Sequence, residues 1–288
     1  MNKLSIQKRA AILSCLIEGN SLRSTARINN VSVDAVSKLL VDVGTACAEY
    51  MDYTLRDLPC QHVQCDEIWA FVGCKEKNLA EHRKGMFGLG DVYTWVAMCA
   101  DTKIVPTFFL GKRDAESAKP FMEDLAGRLS NRVQLTTDGH KVYLQAVENA
   151  FGCEIDYAML IKLYGTEGRE EQRRYSPPKC TGEEIVVITG TPEERHVSTS
   201  YIERQNLTMR MSMRRFTRLT NAFSKKVENH FYANALHFMH YNFGRIHKTL
   251  RVTPAMEAGI ADHVWSLEEI ARLAGHAYYP HLISKMAA

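Results

Sequence analysis

The chain has 288 residues, of which 45% are hydrophobic and 24% charged, with a formal net charge of +3. That is enough apolar residue to bury a core, with length for about two domains, which excludes wholesale disorder. No apolar run reaches the roughly 18 residues of a membrane-spanning helix, and the N-terminus carries no signal-peptide pattern, so a cytoplasmic protein is expected.

The charge is unevenly spread. Residues 200–251 hold ten Lys/Arg against two Asp/Glu, residues 1–60 are near neutral, and the middle is acidic. A basic segment of that density is the footprint of a polyanion-binding surface. The eight cysteines, at 15, 47, 60, 65, 74, 99, 153 and 180, form no C-x-x-C pair. Most read as small buried hydrophobes, Cys65 and Cys99 above all, rather than as a structural zinc site.

Residues 1–50 read as three helices. Ile6, Ala10, Leu13, Leu16 and Ile17 share one helical face. Gly19-Asn20 ends that helix, and Ser21 caps a short one over Leu22–Ile28. Asn29-Asn30 turns the chain, and Ser32 caps a third helix through Val36, Leu39, Leu40 and Val43. This is a helix-turn-helix outline, with Ser32, Asp34, Ser37 and Lys38 facing a DNA groove. Residues 48–60 read as a linker of helical end and loop, closing at Pro59.

The pattern then changes. HVQCDEIWAFVG, GDVYTWVAMCADT and KIVPTFFLG read as three strands separated by turn signals. Residues 114–129 form an amphipathic helix, VQLTTDGH a short strand, VYLQAVENAF a helix and EIDYAMLI a strand. The order predicts an α/β fold with a mixed sheet. Residues 162–197, rich in Gly, Pro and charge, read as an inserted loop or small hairpin in which IVVITG is a lone strand. From Ser198 the chain reads as helix through MSMRRF, then again over AFSKKVENHFYANALHFMHYNFG, and SLEEIARLAGH is a final helix.

Three carboxylates stand out. Asp66 lies inside an apolar strand, where a carboxylate is costly unless it is paired or binds a cation. Asp138 ends a strand beside Gly139, and Glu203 lies near the start of an Arg-rich helix. Together they would repel, and a pair of Mg²⁺ or Mn²⁺ ions is the natural remedy. Such a centre suits in-line displacement at phosphorus and needs no nucleophilic side chain. Each has an ordinary alternative: an Arg-paired strand residue, a turn residue, and an acid favouring a helix N-terminus. Glu67 competes with Asp66, although two-residue alternation favours Asp66 for the polar face. Arg210 follows Glu203 by two helical turns on one face, and Arg214, Arg215 and Arg218 extend a basic track. His140, after the Asp-Gly turn, reads as a helix-start residue, with a place near phosphate as the alternative, and His247 reads as a packing or loop residue.

CDEIWAFVG, TTDGH, YIERQNLTMRMSMRRFTRLTNAFSKKVENH and HYNFGRIHKTLRVTPAMEAGI resemble the DDE transposases of the insertion-sequence-one type, over about residues 60–262. The resemblance implies a ribonuclease H-like mixed sheet flanked by helices, preceded by an all-α helix-turn-helix domain and followed by a helical C-terminal region. The implied boundaries are 1–50, 60–250 with the 162–197 insertion, and 251–288. It selects Asp66, Asp138 and Glu203 as the catalytic residues and as ligands of two Mg²⁺ or Mn²⁺ ions. Arg210, Arg214, Arg215 and Arg218 would hold backbone phosphate, and Arg23, Arg27 and Lys38 would contact DNA at the element ends. The implied activity is metal-dependent cleavage at those ends and 3′-hydroxyl transfer into target DNA. Expected partners are double-stranded DNA, as terminal repeats and target, and a second copy of the chain in a dimer or higher assembly, without a membrane. The expected location is the cytoplasm of a prokaryote, at the nucleoid. Two alternatives stay open: a transposase-derived DNA-binding protein or repressor without catalysis, and a metal-dependent nuclease without strand transfer.

Overall fold

A computed structural model of the chain describes residues 4–86, 88–165, 180–217 and 220–274. Its strands are β1 (His62–Val72), β2 (Gly90–Cys99), β3 (Phe108–Gly111), β4 (Val133–Asp138), β5 (Ile155–Tyr164) and β6 (Cys180–Thr189). Its main helices are α1 (Ile6–Ile17), α2 (Leu22–Asn29), α3 (Val33–Thr54), α4 (Ala115–Ala126), α5 (Val142–Phe151), α6 (Ser200–Ser212), α7 (Val227–Met239), α8 (Pro254–Glu257) and α9 (Leu267–Leu273). Among the described residues no helix is long and apolar enough to cross a membrane.

The first three helices begin on Ser5, Ser21 and Ser32, whose hydroxyls accept the backbone N–H three residues on. Each such cap contributes about 1 kcal/mol. Asn30 ends α2 in the left-handed region with φ 50°, a conformation asparagine tolerates better than most residues. The 48–60 stretch begins as the expected helical end. α3 continues to Thr54, because Ala48, Met51 and then Leu55 keep its buried face apolar. Leu58 and Cys60 are buried as well.

The six strands form one mixed sheet in the order β3-β2-β1-β4-β5-β6. β1, β4 and β5 run parallel, while β2, β3 and β6 run antiparallel to their neighbours. Helices cover both faces. Trp95 of β2 packs on Phe121 of α4 and Tyr143 of α5. On the other face Phe108 of β3 packs on Phe231 and Phe238 of α7. Gln64 of β1 accepts the Tyr201 and Ile202 N–H groups at the start of α6. This is an α/β architecture compatible with a ribonuclease H-like core.

Three local expectations are corrected. The third strand begins only at Phe108, because Pro106 has no N–H to give the ladder. Of the loop and the hairpin read for 162–197, the described residues hold the paired strands of a hairpin, and IVVITG is not a lone strand. Residues 162–164 complete β5, and 180–189 form β6, an edge strand paired along β5 with two register shifts. Residues 166–179 lie outside the described residues. The helix after Ser198 also stops earlier. Met213 is extended (φ −124°) and Arg214–Phe216 is a single 3₁₀ turn. That break drops Phe216 into the core, 5.0 Å from the His230 ring.

One hydrophobic core runs from α1–α3 through α7 to the sheet. Gly44 lets α3 approach α7 closely: a Cβ there would lie 2.5 Å from Tyr232 Cβ and 2.7 Å from its carbonyl oxygen. At the other end of the chain, Ile270, Ala271 and Leu273 of α9 are buried, and α9 packs on α1. Residues 275–288, part of the expected C-terminal region, lie outside the described residues.

Candidate acidic active site

β1 is an eleven-residue strand rich in β-branched and aromatic side chains, and it pairs with β4 only as far as Cys65↔Thr137. One step further lie Asp66 and Asp138, side by side where β4 ends. Crevices at the carboxyl ends of parallel strands are common positions for reactive groups. α6 then crosses β1 with Ile202, Gln205, Asn206 and Met209 turned inward. Glu203, one turn before Asn206 on the adjoining flank, lines the same crevice. Asp66, Asp138 and Glu203 all line one cleft of about 540 Å³, together with Arg113, His140, Lys162 and Thr199.

Within the cleft, Asp66 Oδ2 accepts from Asn206 Nδ2 at 2.8 Å and Oδ1 from the Glu67 backbone N–H at 2.8 Å. Asp138 Oδ1 accepts the His140 N–H at 3.0 Å. Asp138 Oδ2 and Glu67 Oε2 share the Arg113 guanidinium, at 3.2 and 3.0 Å. Glu203 Oε1 accepts from Thr199 Oγ1 at 2.6 Å and pairs with Lys162 Nζ.

The tightest carboxylate group is not the expected trio. Oxygen atoms of Asp66, Glu67 and Asp138 lie within 4.8 Å of one another. Alternation puts Glu67 on the α4–α5 face and Asp66 on the α6 face, and Asp138, at the strand end, is within reach of both. Glu67 is 1% exposed at its side chain. Its Oε1 has no hydrogen-bond partner among the described residues, and the Tyr143 hydroxyl faces it without closing a bond.

The electrostatics follow from this crowding. Burial, then the Glu67 and Asp138 charges, pushes Asp66 up to about 7, against the pull of the Glu67 N–H. Burial also raises Glu67, opposed by the Tyr143 hydroxyl and Arg113 and assisted by Asp138. Burial works to lower Lys162, yet the Glu203 carboxylate holds it above its ordinary value. Burial and then Arg113 lower His140. The donor set suits a hard divalent cation: three clustered carboxylates, one with an orphaned oxygen, and no thiol or imidazole among the clustered ligand atoms.

The predicted basic residues lie elsewhere. Arg210, expected beside the carboxylates, donates from Nη1 to the Phe216 carbonyl at 3.3 Å and does not line the cleft. The helix break pulls its guanidinium toward the 3₁₀ turn. Arg214 and Arg215 leave the helix altogether, so they extend no track along it. Arg214 is exposed, and Arg215 turns inward to donate to Ser224 Oγ at 2.8 Å. Arg218 lies outside the described residues. Arg23, Arg27 and Lys38 are exposed on α2 and α3. His247 hydrogen-bonds Thr249 in its loop. Among the described residues, the Arg and Lys that line the cleft are Arg113, just after β3, and Lys162, late in β5. Neither has a local sequence signal, since each is brought in by sheet order.

No protein-family model matches the chain, and no curated protein matches it. Two solved structures of a transposase are similar in part. One is the Mos1 transposase paired-end complex with left transposon end, at 15% identity and a TM-score of 0.20, over 52% of this chain and 57% of that one. The other is the Mos1 strand transfer complex, at 11% identity and a TM-score of 0.22, over 83% and 76%. The chain thus spans little more than half of the first. Likenesses this distant carry no inference about individual residues.

Proposed function

We propose that the chain is a DNA transposase of the DDE kind, resembling the insertion-sequence-one type. It would cleave phosphodiesters at element ends and join the freed 3′-hydroxyl to target DNA. The observation that carries this reading is the convergence of Asp66, Asp138 and Glu203, from β1, β4 and α6, on one open cleft. Asp66, Asp138 and Glu67 would hold a divalent cation, with Glu203 on the facing helix completing a second ligand set. Mg²⁺ or Mn²⁺ bound there supplies charge neutralisation and an activated oxygen nucleophile.

The chain's own residues prepare this site. Asn206 and the Glu67 N–H aim the two oxygens of Asp66. Arg113 holds Glu67 and Asp138 at a fixed separation, and Lys162 with Thr199 holds Glu203. His140, its charge suppressed by burial and by Arg113, sits at the cleft wall. The exposed Arg23, Arg27 and Lys38 on α2 and α3 would contact the phosphates of DNA lying across those helices. Joining two ends requires at least two catalytic chains, so a dimer or larger assembly on DNA is part of the reading.

The test is cleavage of labelled duplex carrying the DNA that flanks the coding sequence, with Mg²⁺ or Mn²⁺, by wild type, Asp138→Asn and Glu203→Gln. The reading expects metal-dependent nicking and strand transfer, both reduced by about a hundredfold or more in the variants with duplex binding intact. One observation favours a second reading, a DNA-binding protein without catalysis. Arg113 and Lys162 already pair with three of the four acids. Tight duplex binding without cleavage by wild type would support it.

A further inference from the structure

A second cavity, of about 520 Å³, opens between the N-terminal helices and the segment that follows α6. It shares no lining residue with the acidic cleft. Leu16, Leu40, Met213 and Phe223 give it an apolar floor. Four cations line it: Arg23, Arg214, Arg215 and Lys225. Among the described residues no carboxylate lines it, and none of the four cations forms an ion pair.

Arg215 is the informative member. Its guanidinium is anchored by Ser224 Oγ, which also bonds His230 Nδ1 at 2.8 Å. Ser224 is itself fixed, since its carbonyl accepts the Gly73 N–H at 2.8 Å beyond the end of β1. Burial lowers the Arg215 pKa to about 10. Arg215 is part-buried and forms no ion pair among the described residues, so an anion reaching it through the cavity would be stabilised. The first turns of α2 and α7 also line the cavity, through Ser21–Arg23 and Asn229, and helix N-termini favour negative charge.

We propose that this cavity binds a backbone phosphodiester of a DNA strand, a contact separate from the acidic cleft. The partner class rests on the DNA reading given above; what is new is that Arg23, Arg214, Arg215 and Lys225 share one cavity. The geometry also gives the contact a role. The α1–α2 turn abuts the last turn of α6, where a Cβ on Gly19 would lie 3.3 Å from the Ser212 carbonyl oxygen. A phosphate held between Arg23 and Arg215 therefore touches α2 and the segment leading out of α6 at once. It fixes the strand's register between the N-terminal helices and the helix that carries Glu203.

The experiment is fluorescence anisotropy of a labelled duplex of about 20 base pairs with the full chain, titrated with KCl. The variants are Lys225→Gln, Arg214→Gln, Arg215→Gln and Ala222→Trp, with a melting temperature for each. Each exposed-cation variant should weaken binding several-fold whatever the duplex sequence, and lower the log–log salt slope by about one. Ala222→Trp leaves the charge unchanged and fills the cavity, so it should weaken binding to a similar extent. Inorganic pyrophosphate is the second probe, and should compete with the duplex on wild type but not on Arg215→Gln. If Arg215→Gln fails to fold, Lys225→Gln and Ala222→Trp still carry the test.

Wild-type affinity and slope in Lys225→Gln and Ala222→Trp overturn the proposal. Pyrophosphate binding that none of the variants translates into weaker DNA binding also overturns it, and makes the cavity a small-anion site. Metal-dependent cleavage with unaltered variant binding removes the cavity contact alone. Binding that depends on the cavity, without cleavage, removes the catalytic reading alone. No duplex binding by wild type removes both.

Discussion

Asp66 is held by an amide on one oxygen and a backbone N–H on the other, while two carboxylates crowd it from the same strand and the next. Without a divalent cation, the strongest compensation in that group is Arg113, which joins Glu67 to Asp138. Glu67 is 1% exposed but Arg113 is 41% exposed at its side chain, so solvent screens part of the pair. Arg113→Met should therefore destabilise the metal-free chain by about 1–2 kcal/mol, below the figure for a fully buried pair. Millimolar Mg²⁺ should recover most of that loss if the carboxylates bind it. Urea unfolding with and without Mg²⁺ checks both halves, and a loss that Mg²⁺ leaves untouched would count against a cation site.

At the scale of elements, α7 and the turn after it concentrate buried imidazole. Burial, helped by Arg215, holds His230 down to about 3, and burial with His240 and Arg245 does the same for His237. Burial and Arg245 hold His240 down to about 4. In the unfolded chain these groups titrate near 6.5. Between about pH 6.5 and 4 the unfolded state thus binds protons that the folded state refuses. Stability is fully present above pH 6.5 and falls as the pH drops, by up to about 1.4 kcal/mol per pH unit for each group. His237→Leu should remove about a third of that slope, read from urea midpoints between pH 7 and 4.5. An unchanged slope would mean that His237 is not held neutral. The α3–α7 crossing makes a separate demand. Gly44→Ala places a methyl against Tyr232 and its carbonyl, where neither can yield without moving a helix. A cost of about 2–3 kcal/mol in the same unfolding assay is expected, whereas a neutral Gly44→Ala would mean that the helices are not so closely packed.

At the scale of the molecule, the helices that resemble a separate DNA-binding unit are cored together with the sheet. Ile12, Leu13, Val36 and Leu40 belong to the same buried cluster as Trp95 and Leu135. A chain built this way should unfold in one cooperative step. The loss of far-UV helical signal and the shift of tryptophan emission should coincide in temperature. Leu40→Ala, at a position only 2% exposed, should cost about 2–4 kcal/mol and move both curves together. Early loss of the helical signal alone would show instead that α1–α3 are an independent domain.

Much of the architecture was legible because its causes are local. The serine caps, the periodicity of α1–α3, the alternation along β1 and the Asp-Gly strand end are short-range patterns, and all are present in the structure. Asp66, Asp138 and Glu203 could be singled out because a carboxylate stands out against an apolar strand, a turn or an Arg-rich helix. Other features depended on which distant segments meet. β6 pairs with β5 across fifteen residues whose composition reads as loop, and α6 ends at Ser212 because burying Phe216 outweighs continuing the helix. Glu67 joins the acidic group only because β4 stops beside it. Arg113 and Lys162 reach the cleft through strand order, while Arg210 and Arg215 are turned from it by that same helix break. Local propensity therefore determined the elements and most of the acids. Sheet order and core packing decided which charges face one another, because electrostatic partners are set by distance in space and not by separation along the chain.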